Sequence, residues 1–577
     1  MVHIAHRQGE PATSRCPRLA AVLTAVLLVA LSLPGCLTGD GHSGSGDAAG
    51  AGEGDGVARG SASDEITIFS FDRRNYEQSD RVLQEIERQT DTKLNLLTGV
   101  WDDTQLDIMV ATGEYPDVIT IVDSEKSGRF NKWAKEGTII PFSAELIAEF
   151  PHLQALFAEP QYQKLKLNGQ FYGLPLKDEF PVGSAGQHVL VMRQDWLDAL
   201  RLPAPQTLEE LRDTLRAFKH GDPDGNGLDD TYGLIDAGLP TLVKNLMGAW
   251  GIPVDVRSSG FLQVGSGYEY WAIQPEVKEA LAYVKSLYEE KLIVPDTLSM
   301  NSNIQVRSKF VEGRTGALFD NMNIEELIKK EEQLRRHIPA AELVELSALQ
   351  GPRGERGYSV GSGYWGYTVI TDKARNPRAV ARLFDFLLSE EGRRLTLFGV
   401  PGLHYSEAGG EQEAGGQEVG GLPKKTTSQA DAGDPSGRRY QLHQEERAKE
   451  IGFDPNNPGG FHELSWGLVS WTQMDSPTYL EFRTLTYPGF PDKYKTNMER
   501  VNRYLIEPAA YGLATPKWVS FKANSDELYT EYFNQIIMGR LDLEEGFATF
   551  VEKWLWSGGA EAMQEMSAAI AREEHRP

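Results

Sequence analysis

The run Asp222-Pro223-Asp224-Gly225-Asn226-Gly227-Leu228-Asp229-Asp230 concentrates oxygen donors in one short loop. Counting from Asp222, oxygen side chains fall at positions 1, 3, 5 and 9, with glycine at 6 for a sharp turn and the Leu228 carbonyl at 7. That donor set and spacing suit a hard cation such as Ca²⁺. Asp222, Asp224, Asn226, Leu228 and Asp230 are the expected ligands. Position 12, where an EF-hand carries a bidentate glutamate, is Gly233, so the loop is calcium-like without being an EF-hand. The competing reading is a metal-free cluster of Asx turns on an acidic surface. No nucleophile or base adjoins the loop, so a bound cation would be structural: it would neutralise crowded carboxylates and pin the end of the preceding helix.

A second group of residues suits a different chemistry. A pyranose presents a C–H face to an aromatic ring, while a few polar groups fix its hydroxyls. Trp250, Tyr270, Trp271, Tyr364 and Trp365 are the candidates; Trp250 lies between Ala249 and Gly251, and the Tyr364-Trp365 pair between Gly363 and Gly366. Asp117, at the start of a strand after Pro116, either sits at a mouth of a sheet where open α/β proteins hold ligands or caps a turn. Trp133, Trp196, Trp554 and Trp556 fall on amphipathic helical stretches and are expected in the core.

The elements that must position these groups alternate. Glu65 to Phe69 reads as a strand, Ser79 to Thr90 as a helix with Val82, Leu83 and Ile86 on one face, and Lys93 to Leu96 as a strand. Gln105 to Thr112 is helical, and Pro116 to Ile121 is a third strand. Strand, helix, strand, helix, strand implies a parallel sheet. The rhythm returns at Val189 to Met192, followed by helices at Asp195 to Leu200 and Thr207 to His220, the latter with a capping box of Thr207 and Glu210. Long helices are expected at Glu276 to Lys291 and Pro377 to Phe398, and helical sequence again from Asp526 to Ile570.

The N-terminus has its own chemistry. Arg7, Arg15 and Arg18 precede an apolar stretch from Leu19 to Leu33, the layout of an export signal. At about 15 residues it is too short for a permanent membrane span. Gly35-Cys36 resembles a lipobox, in which the cysteine is acylated and becomes the new N-terminus; the alternative is ordinary secretion with a free thiol. Residues 38–63, almost wholly Gly, Ser, Ala, Asp and Glu, read as a flexible tether.

The chain has 577 residues and a formal charge of −25, or about −27 without the leader. An acidic surface of that size repels phosphate backbones, so nucleic acid is not an expected partner. Of the two cysteines, Cys16 lies in the leader and Cys36 would carry lipid, which leaves no disulfide and no thiol for catalysis. No Gly-rich phosphate loop ending in Lys-Ser or Lys-Thr is present.

Several phrases then occur in order: Gly113-Glu114-Tyr115-Pro116-Asp117-Val118, Trp133-Ala134-Lys135-Glu136-Gly137, Asn168-Gly169-Gln170-Phe171-Tyr172-Gly173-Leu174-Pro175, Met192-Arg193-Gln194-Asp195-Trp196-Leu197, the aspartate loop, Gly363-Tyr364-Trp365-Gly366, and Ser389-Glu390-Glu391-Gly392. Together the chain resembles the family 1 extracellular solute-binding proteins, lipoprotein receptors of ABC importers for oligosaccharides. The resemblance implies a two-lobed α/β fold of the periplasmic-binding-protein type, with an oligosaccharide clamped between lobes and delivered to permease subunits. It implies no catalysis, a monomer, a structural calcium, and a place on the outer face of the cell membrane. The implied division is leader 1–35, tether 36–63, first lobe 64–184, second lobe 185–356, a return to the first lobe at 357–405, a disordered loop at 406–439, and 440–577 completing the second lobe. Crossings between lobes are expected near Ala185 and Gly357. Two other functions fit the composition: a secreted glycoside hydrolase, for which no particular acid pairs with a particular base, and a surface lipoprotein that senses ligand or binds envelope polymer without transport.

Overall fold

The structure is a computed structural model that describes residues 64–70, 80–98, 103–122, 129–177, 188–252, 254, 260–265, 267–321, 324–361, 364–408, 439–449, 468–469, 476–487, 489–507 and 515–574. The leader, the tether, Cys36 and the crossing expected near Ala185 lie outside these residues.

Strands in chain order are β1 (Asp64–Ser70), β2 (Thr92–Thr98), β3 (Val118–Val122), β4 (Ile139–Ile140), β5 (Leu174–Lys177), β6 (His188–Arg193), β7 (Tyr232–Ile235), β8 (Phe261–Val264), β9 (Gly267–Tyr270), β10 (Thr315–Asn321), β11 (Leu343–Glu345), β12 (Tyr358–Ser359), β13 (Tyr364–Thr371), β14 (Tyr405–Ala408), β15 (Arg439–Leu442) and β16 (Leu505–Ile506). The first sheet has the order β2-β1-β3-β13-β4, with β5 also on β13. Its first three strands are parallel, as the alternation requires, because a helix crosses between each pair. β13 arrives much later in sequence and runs antiparallel to β3. The second sheet has the order β11-β6-β10-β7, with β6 antiparallel and β7 parallel to β10.

Side-chain alternation along β6 explains how the two cores are divided. Val189 and Val191 belong to the first apolar cluster, which also fills the first sheet; Leu190 and Met192 belong to the second. The second cluster buries the helices Leu208–His220, Leu239–Leu246 and Pro275–Glu289 together with the C-terminal helices Pro516–Ile537, Leu543–Trp554 and Ala560–Glu574. Trp554 anchors it, stacked on Tyr270 at 5.1 Å and donating from Nε1 to Ser525 Oγ at 2.8 Å. Trp133 and Trp196 are buried as expected.

Three expectations are corrected. Pro377 to Phe398 is two helices, Pro377–Leu388 and Glu390–Phe398, because Ser389 is extended and its Oγ caps the second by accepting from Gly392 N. Gly392 is required there, since a Cβ would stand 2.1 Å from the Phe386 carbonyl. Residues 440–577 do not lie wholly with the second core: Tyr440, Leu468, Tyr479, Phe482, Phe490 and Val501 fill the first. Of the expected loop at 406–439, residues 409–438 lie outside the described residues, and the two ends form the antiparallel pair β14–β15.

The helical hairpin of Pro477–Thr486 and Phe490–Val501 ties the two sheets' surroundings together. On one side Arg394 pairs with Glu481 at 3.2 Å. On the other, buried Glu331, from the helix Ile324–Arg335, accepts from Tyr487 Oη at 2.7 Å, Lys493 Nζ at 2.6 Å and Leu343 N at 2.8 Å. Just beyond the hairpin, β16 pairs in parallel with β12, beside Gly357, where a Cβ would meet Ile506 at 2.3 Å.

Candidate functional site

In open α/β sheets, ligands bind outside the carboxyl ends of the parallel strands, where polar groups can emerge from an apolar sheet. In the second sheet those ends are Ile235 of β7 and Asn321 of β10, and the antiparallel β6 begins at the same end, His188 opposing Asn321. A polar network gathers there. Asp236 directly follows β7 and is fully buried; its Oδ1 accepts from Ala237 N at 2.7 Å and its Oδ2 from Asn245 Nδ2 at 2.9 Å. Asn245 Nδ2 lies 3.4 Å from His188 Nδ1, and Asn303 Nδ2 lies 3.0 Å from His188 Nε2. Behind them Asp320 accepts from Lys330 Nζ at 2.6 Å and from Arg307 Nη2 at 2.7 Å.

Burial sets the protonation of this network. Desolvation pushes the Asp236 carboxyl up to about 7, and the charge of Asp320 adds to the effect. Desolvation also lowers His188 to about 4, helped by Lys244 and Arg307 and opposed by Asp320. Burial works against ionisation of Asp320 as well, yet Lys330 and Arg307 overcome it and hold that carboxylate well below its usual range. A neutral imidazole, a carboxyl that titrates near neutrality and two carboxamides therefore share one end of the sheet. Such groups both donate to and accept from hydroxyls.

The expected aromatics are mostly elsewhere. Trp250 is buried in the second core, its Nε1 donating to Glu279 Oε2 at 2.9 Å. Tyr270 stacks on Trp554, and Trp271 packs edge-on against Tyr529 and Phe533. These three rings are core residues, corrected from the expected ligand role: the C-terminal helices cover Tyr270 and Trp271, and Trp250 is buried beside the helix Pro275–Glu289. Tyr364 opens β13 at the carboxyl-end side of the first sheet, but its ring is buried against Tyr162 and Tyr367. Trp365 lies in the same strand; its side chain is outside the described residues. Asp117 stands at the amino end of β3, away from any crevice: its Oδ2 accepts from Thr67 N at 2.8 Å and its carbonyl from Thr371 N at 2.9 Å. These contacts tie β3 to β1 and β13 and are neither a ligand contact nor a turn cap.

The aspartate loop precedes β7, so it stands at the opposite end of that strand from Asp236. Asp222 accepts from Asn226 N and Gly227 N, both at 3.0 Å. Asn226 Nδ2 reaches Asp224 Oδ2 at 2.9 Å and Asp230 Oδ1 at 3.2 Å, while Asn226 Oδ1 accepts from Leu228 N at 2.7 Å. The Asp224 carboxyl is raised, by burial first and by its neighbours Asp222 and Asp230. Asp224 and Asp230 thus converge on one amide nitrogen, while Asp222 holds the backbone in Asx-turn geometry. Among the described residues no set of three or more His, Cys, Asp or Glu side chains is arranged to hold a metal.

The polar network was missed from sequence, although each member interrupts an apolar strand or helix: His188 before Val-Leu-Val-Met, Asp236 after Gly-Leu-Ile, Asp320 within Ala-Leu-Phe-Asp-Asn. Among the described residues no helix is long and apolar enough to cross a membrane.

Comparison with known proteins adds to this geometry. Residues 75–394 match the model of the bacterial extracellular solute-binding protein family. The polygalacturonan/rhamnogalacturonan-binding protein YtcQ of Bacillus subtilis (strain 168) is 28% identical over 340 residues, 57% of this chain and 64% of that one. Lipoprotein LipO of the same organism is 26% identical over 480 residues, 80% of this chain and 83% of that one. Among solved structures, the alginate-binding protein AlgQ2 without calcium ion superposes with a TM-score of 0.64 at 21% identity, covering 88% of this chain and 98% of that one. The Streptococcus pneumoniae substrate-binding protein FusA in complex with kestose gives 0.63 at 17% identity, covering 88% and 99%. These likenesses establish the two-domain α/β fold.

Proposed function

Because the chain belongs to the bacterial extracellular solute-binding protein family, we propose that it is a lipid-anchored receptor that captures an oligosaccharide between two hinged lobes and delivers it, unreacted, to an ABC importer. The observation that carries this reading is the network of His188, Asp236, Asn245 and Asn303 at the carboxyl end of the second sheet, where buried groups able to donate to and accept from hydroxyls are gathered. Trp365 is proposed to approach the ligand from the first lobe. Closure would pivot about the β12–β16 pair, and ligand would shift the open-closed balance by its differential affinity for the two states.

Supporting the sugar class are the ligands named for relatives: polygalacturonan for YtcQ, alginate for AlgQ2 and kestose for FusA. Anchoring rests on the leader and Cys36, with LipO named a lipoprotein. Two acyl chains or more are needed for stable attachment. Permease subunits would read the closed form and supply ATP hydrolysis.

The aspartate loop is proposed to take Ca²⁺. Its donors are all oxygen, and the Asp224 carboxyl is raised by burial first and then by Asp222 and Asp230, a repulsion that a divalent cation would relieve. Asp222, Asp224, Asn226, Asp230 and the Leu228 carbonyl would hold it, once the Asn226 amide turns its oxygen inward. Standing at the far end of β7, the ion would brace the helix Leu208–His220 and take no part in ligand binding.

Titration calorimetry with galacturonate oligomers, alginate oligomers and kestose tests the reading, paired with small-angle scattering for closure and a reducing-end assay. Binding with compaction and no turnover is the expected result. Release of new reducing ends would favour the hydrolase instead.

A further inference from the structure

Each nitrogen of the His188 ring faces a carboxamide nitrogen: Asn245 Nδ2 stands 3.4 Å from Nδ1, and Asn303 Nδ2 stands 3.0 Å from Nε2. Both contacts cannot be hydrogen bonds in that arrangement. A neutral imidazole carries one N–H and offers one acceptor, and an imidazolium offers none, so at one of the two nitrogens an N–H meets an N–H. Burial lowers this ring to about 4 and so keeps it neutral near physiological pH. The oxygen and nitrogen of a carboxamide change places by a half-turn of the group, so one of the two asparagines must turn its oxygen to the ring.

Asp236 decides which one turns. Its Oδ1 is taken by Ala237 N at 2.7 Å, so Oδ2, 2.9 Å from the Asn245 carboxamide, is the oxygen that carries a proton when one is bound. With Asp236 ionised, Oδ2 only accepts. Asn245 then keeps its NH₂ toward both Asp236 and Nδ1, the ring proton sits on Nε2, and Asn303 turns its oxygen to that N–H, leaving its NH₂ pointing away from the ring. With Asp236 protonated, Oδ2–H donates. Asn245 turns its oxygen to it, that oxygen also accepts from Nδ1–H, and Nε2 accepts from Asn303, whose oxygen becomes the outward group. One proton enters, on Asp236, and the ring proton passes from Nε2 to Nδ1; in neither state does a donor meet a donor.

Asp236, Asn245 and His188 are buried and Asn303 is half-buried, so the relay reaches the surface at Asn303. Its helix, Asn303–Phe310, is registered on the sheet by Arg307, one turn along, which donates to Asp320 at 2.7 Å. The charged groups around the relay are Asp320 of β10, Lys244 of the helix Leu239–Leu246, Arg307, and behind them Lys330 and Glu326 of the helix Ile324–Arg335. Asn321, opposite His188 across the β6–β10 pair, also favours the protonated ring. Burial works against ionisation of Asp320 and Glu326, yet the neighbouring lysines and Arg307 hold both below their usual ranges, so neither takes up a proton near neutrality. That change falls to Asp236, which burial pushes up to about 7.

We propose that Asn303 is the ligand contact of this network and that the proton on Asp236 sets what it presents: an amide N–H when Asp236 is ionised, an amide oxygen when it is protonated. This contact rests on the oligosaccharide reading above and adds a rule of selection. A sugar hydroxyl answers either group. A uronate carboxylate only accepts, so it is held well only while Asp236 is ionised.

The first test needs no sugar. Ring ¹⁵N shifts of the histidine-labelled full mature chain, with the His188 signals assigned by their loss in His188→Gln, are expected to place the proton on Nδ1 at pH 5.5 and on Nε2 at pH 8.5. In Asp236→Asn, whose carboxamide donates to Asn245 at every pH, it should stay on Nδ1. One unchanging tautomer in the native protein would overturn the relay. The second test is titration calorimetry with a galacturonate tetramer, ionised throughout this range, and with neutral kestose. Galacturonate should bind about tenfold more tightly at pH 8.5 than at pH 5.5, the scale of one charge-assisted hydrogen bond, while kestose changes by less than about twofold. Negative charge arriving on Asp236 acts by itself in the opposite direction, so the sign separates the relay from simple repulsion. Asp236→Asn and Asn303→Ala should each hold galacturonate near its low-pH affinity across the range, Asn303→Ala without stopping the ring-proton exchange. Galacturonate affinity that falls toward pH 8.5, a pH dependence that survives Asn303→Ala, or binding of kestose alone would overturn the ligand contact. Binding of neither probe would sink the oligosaccharide reading and the contact with it, whereas the ring shifts decide the relay independently.

Discussion

Replacing Asp236 by asparagine tests the protonation of the proposed ligand network. Asp236 is pushed from an ordinary 3.8 to about 7, and His188 is lowered from 6.5 to about 4. At pH 5 the native pair therefore carries its one proton on Asp236, whereas the unfolded chain carries it on His188. Neither state gains protons over the other, so the pair adds no slope to stability between about pH 4 and 6.5. From 6.5 to about 7 the native state keeps a proton that the unfolded chain has released, and stability falls; above that it is level. Asp236→Asn removes the carboxyl while Ala237 N keeps its acceptor. The variant then gains on the native protein by about 1.4 kcal/mol for each pH unit above 3.8, reaching roughly 1.6 kcal/mol at pH 5 and levelling near 4 kcal/mol above pH 7. His188, no longer balanced, makes the variant's own stability rise with pH from about 4 to 6.5 and then level off. Urea unfolding of both proteins at pH 5, 6, 7 and 8 measures the difference. A gap that stays constant across that range would refute the reasoning, because Asp236 would then ionise as it does in the unfolded chain.

Three further outcomes are expected. Excess chelator should lower the thermal midpoint of the calcium-loaded protein by about 2–3 °C, since a cation held at a hundred times its dissociation constant contributes about 2.7 kcal/mol against an unfolding entropy of roughly 1 kcal/mol per degree for a chain of this size; an unmoved melt would remove the ion from the aspartate loop. Lys330→Met leaves buried Asp320 with Arg307 alone, and should cost about 3 kcal/mol by urea unfolding; a loss under about 1 kcal/mol would show that Arg307 suffices. Cys36→Ser should release the protein from the membrane fraction and abolish labelling by a radioactive fatty acid, whereas continued sedimentation with membranes would exclude the lipid anchor.

Local sequence determined much of the framework. Alternation of β-branched strands with amphipathic helices at 64–122 could give only a parallel sheet, since each crossover helix forces the next strand into the same direction. The cap at Thr207 was equally legible: Glu210 N donates to its Oγ1 at 3.1 Å, though the Glu210 carboxylate reaches back to Gln206 N, one residue earlier than a capping box places it. These features depend on neighbours in sequence, so a linear reading contains them.

Tertiary structure decided which side chains the core takes in and which polar groups it gathers. Tyr270 and Trp271 looked like sugar platforms until helices more than 240 residues later in the chain covered them. His188, Asp236 and Asp320 lie far apart in sequence, and only the register of β6 and β7 against β10 brings them to one end of a sheet. Trp556 shows the converse: expected in the core, it is 88% exposed, two residues from fully buried Trp554 and so on the other side of the helix. Periodicity fixes a residue's face relative to its own element; burial depends on what the rest of the chain lays over that face.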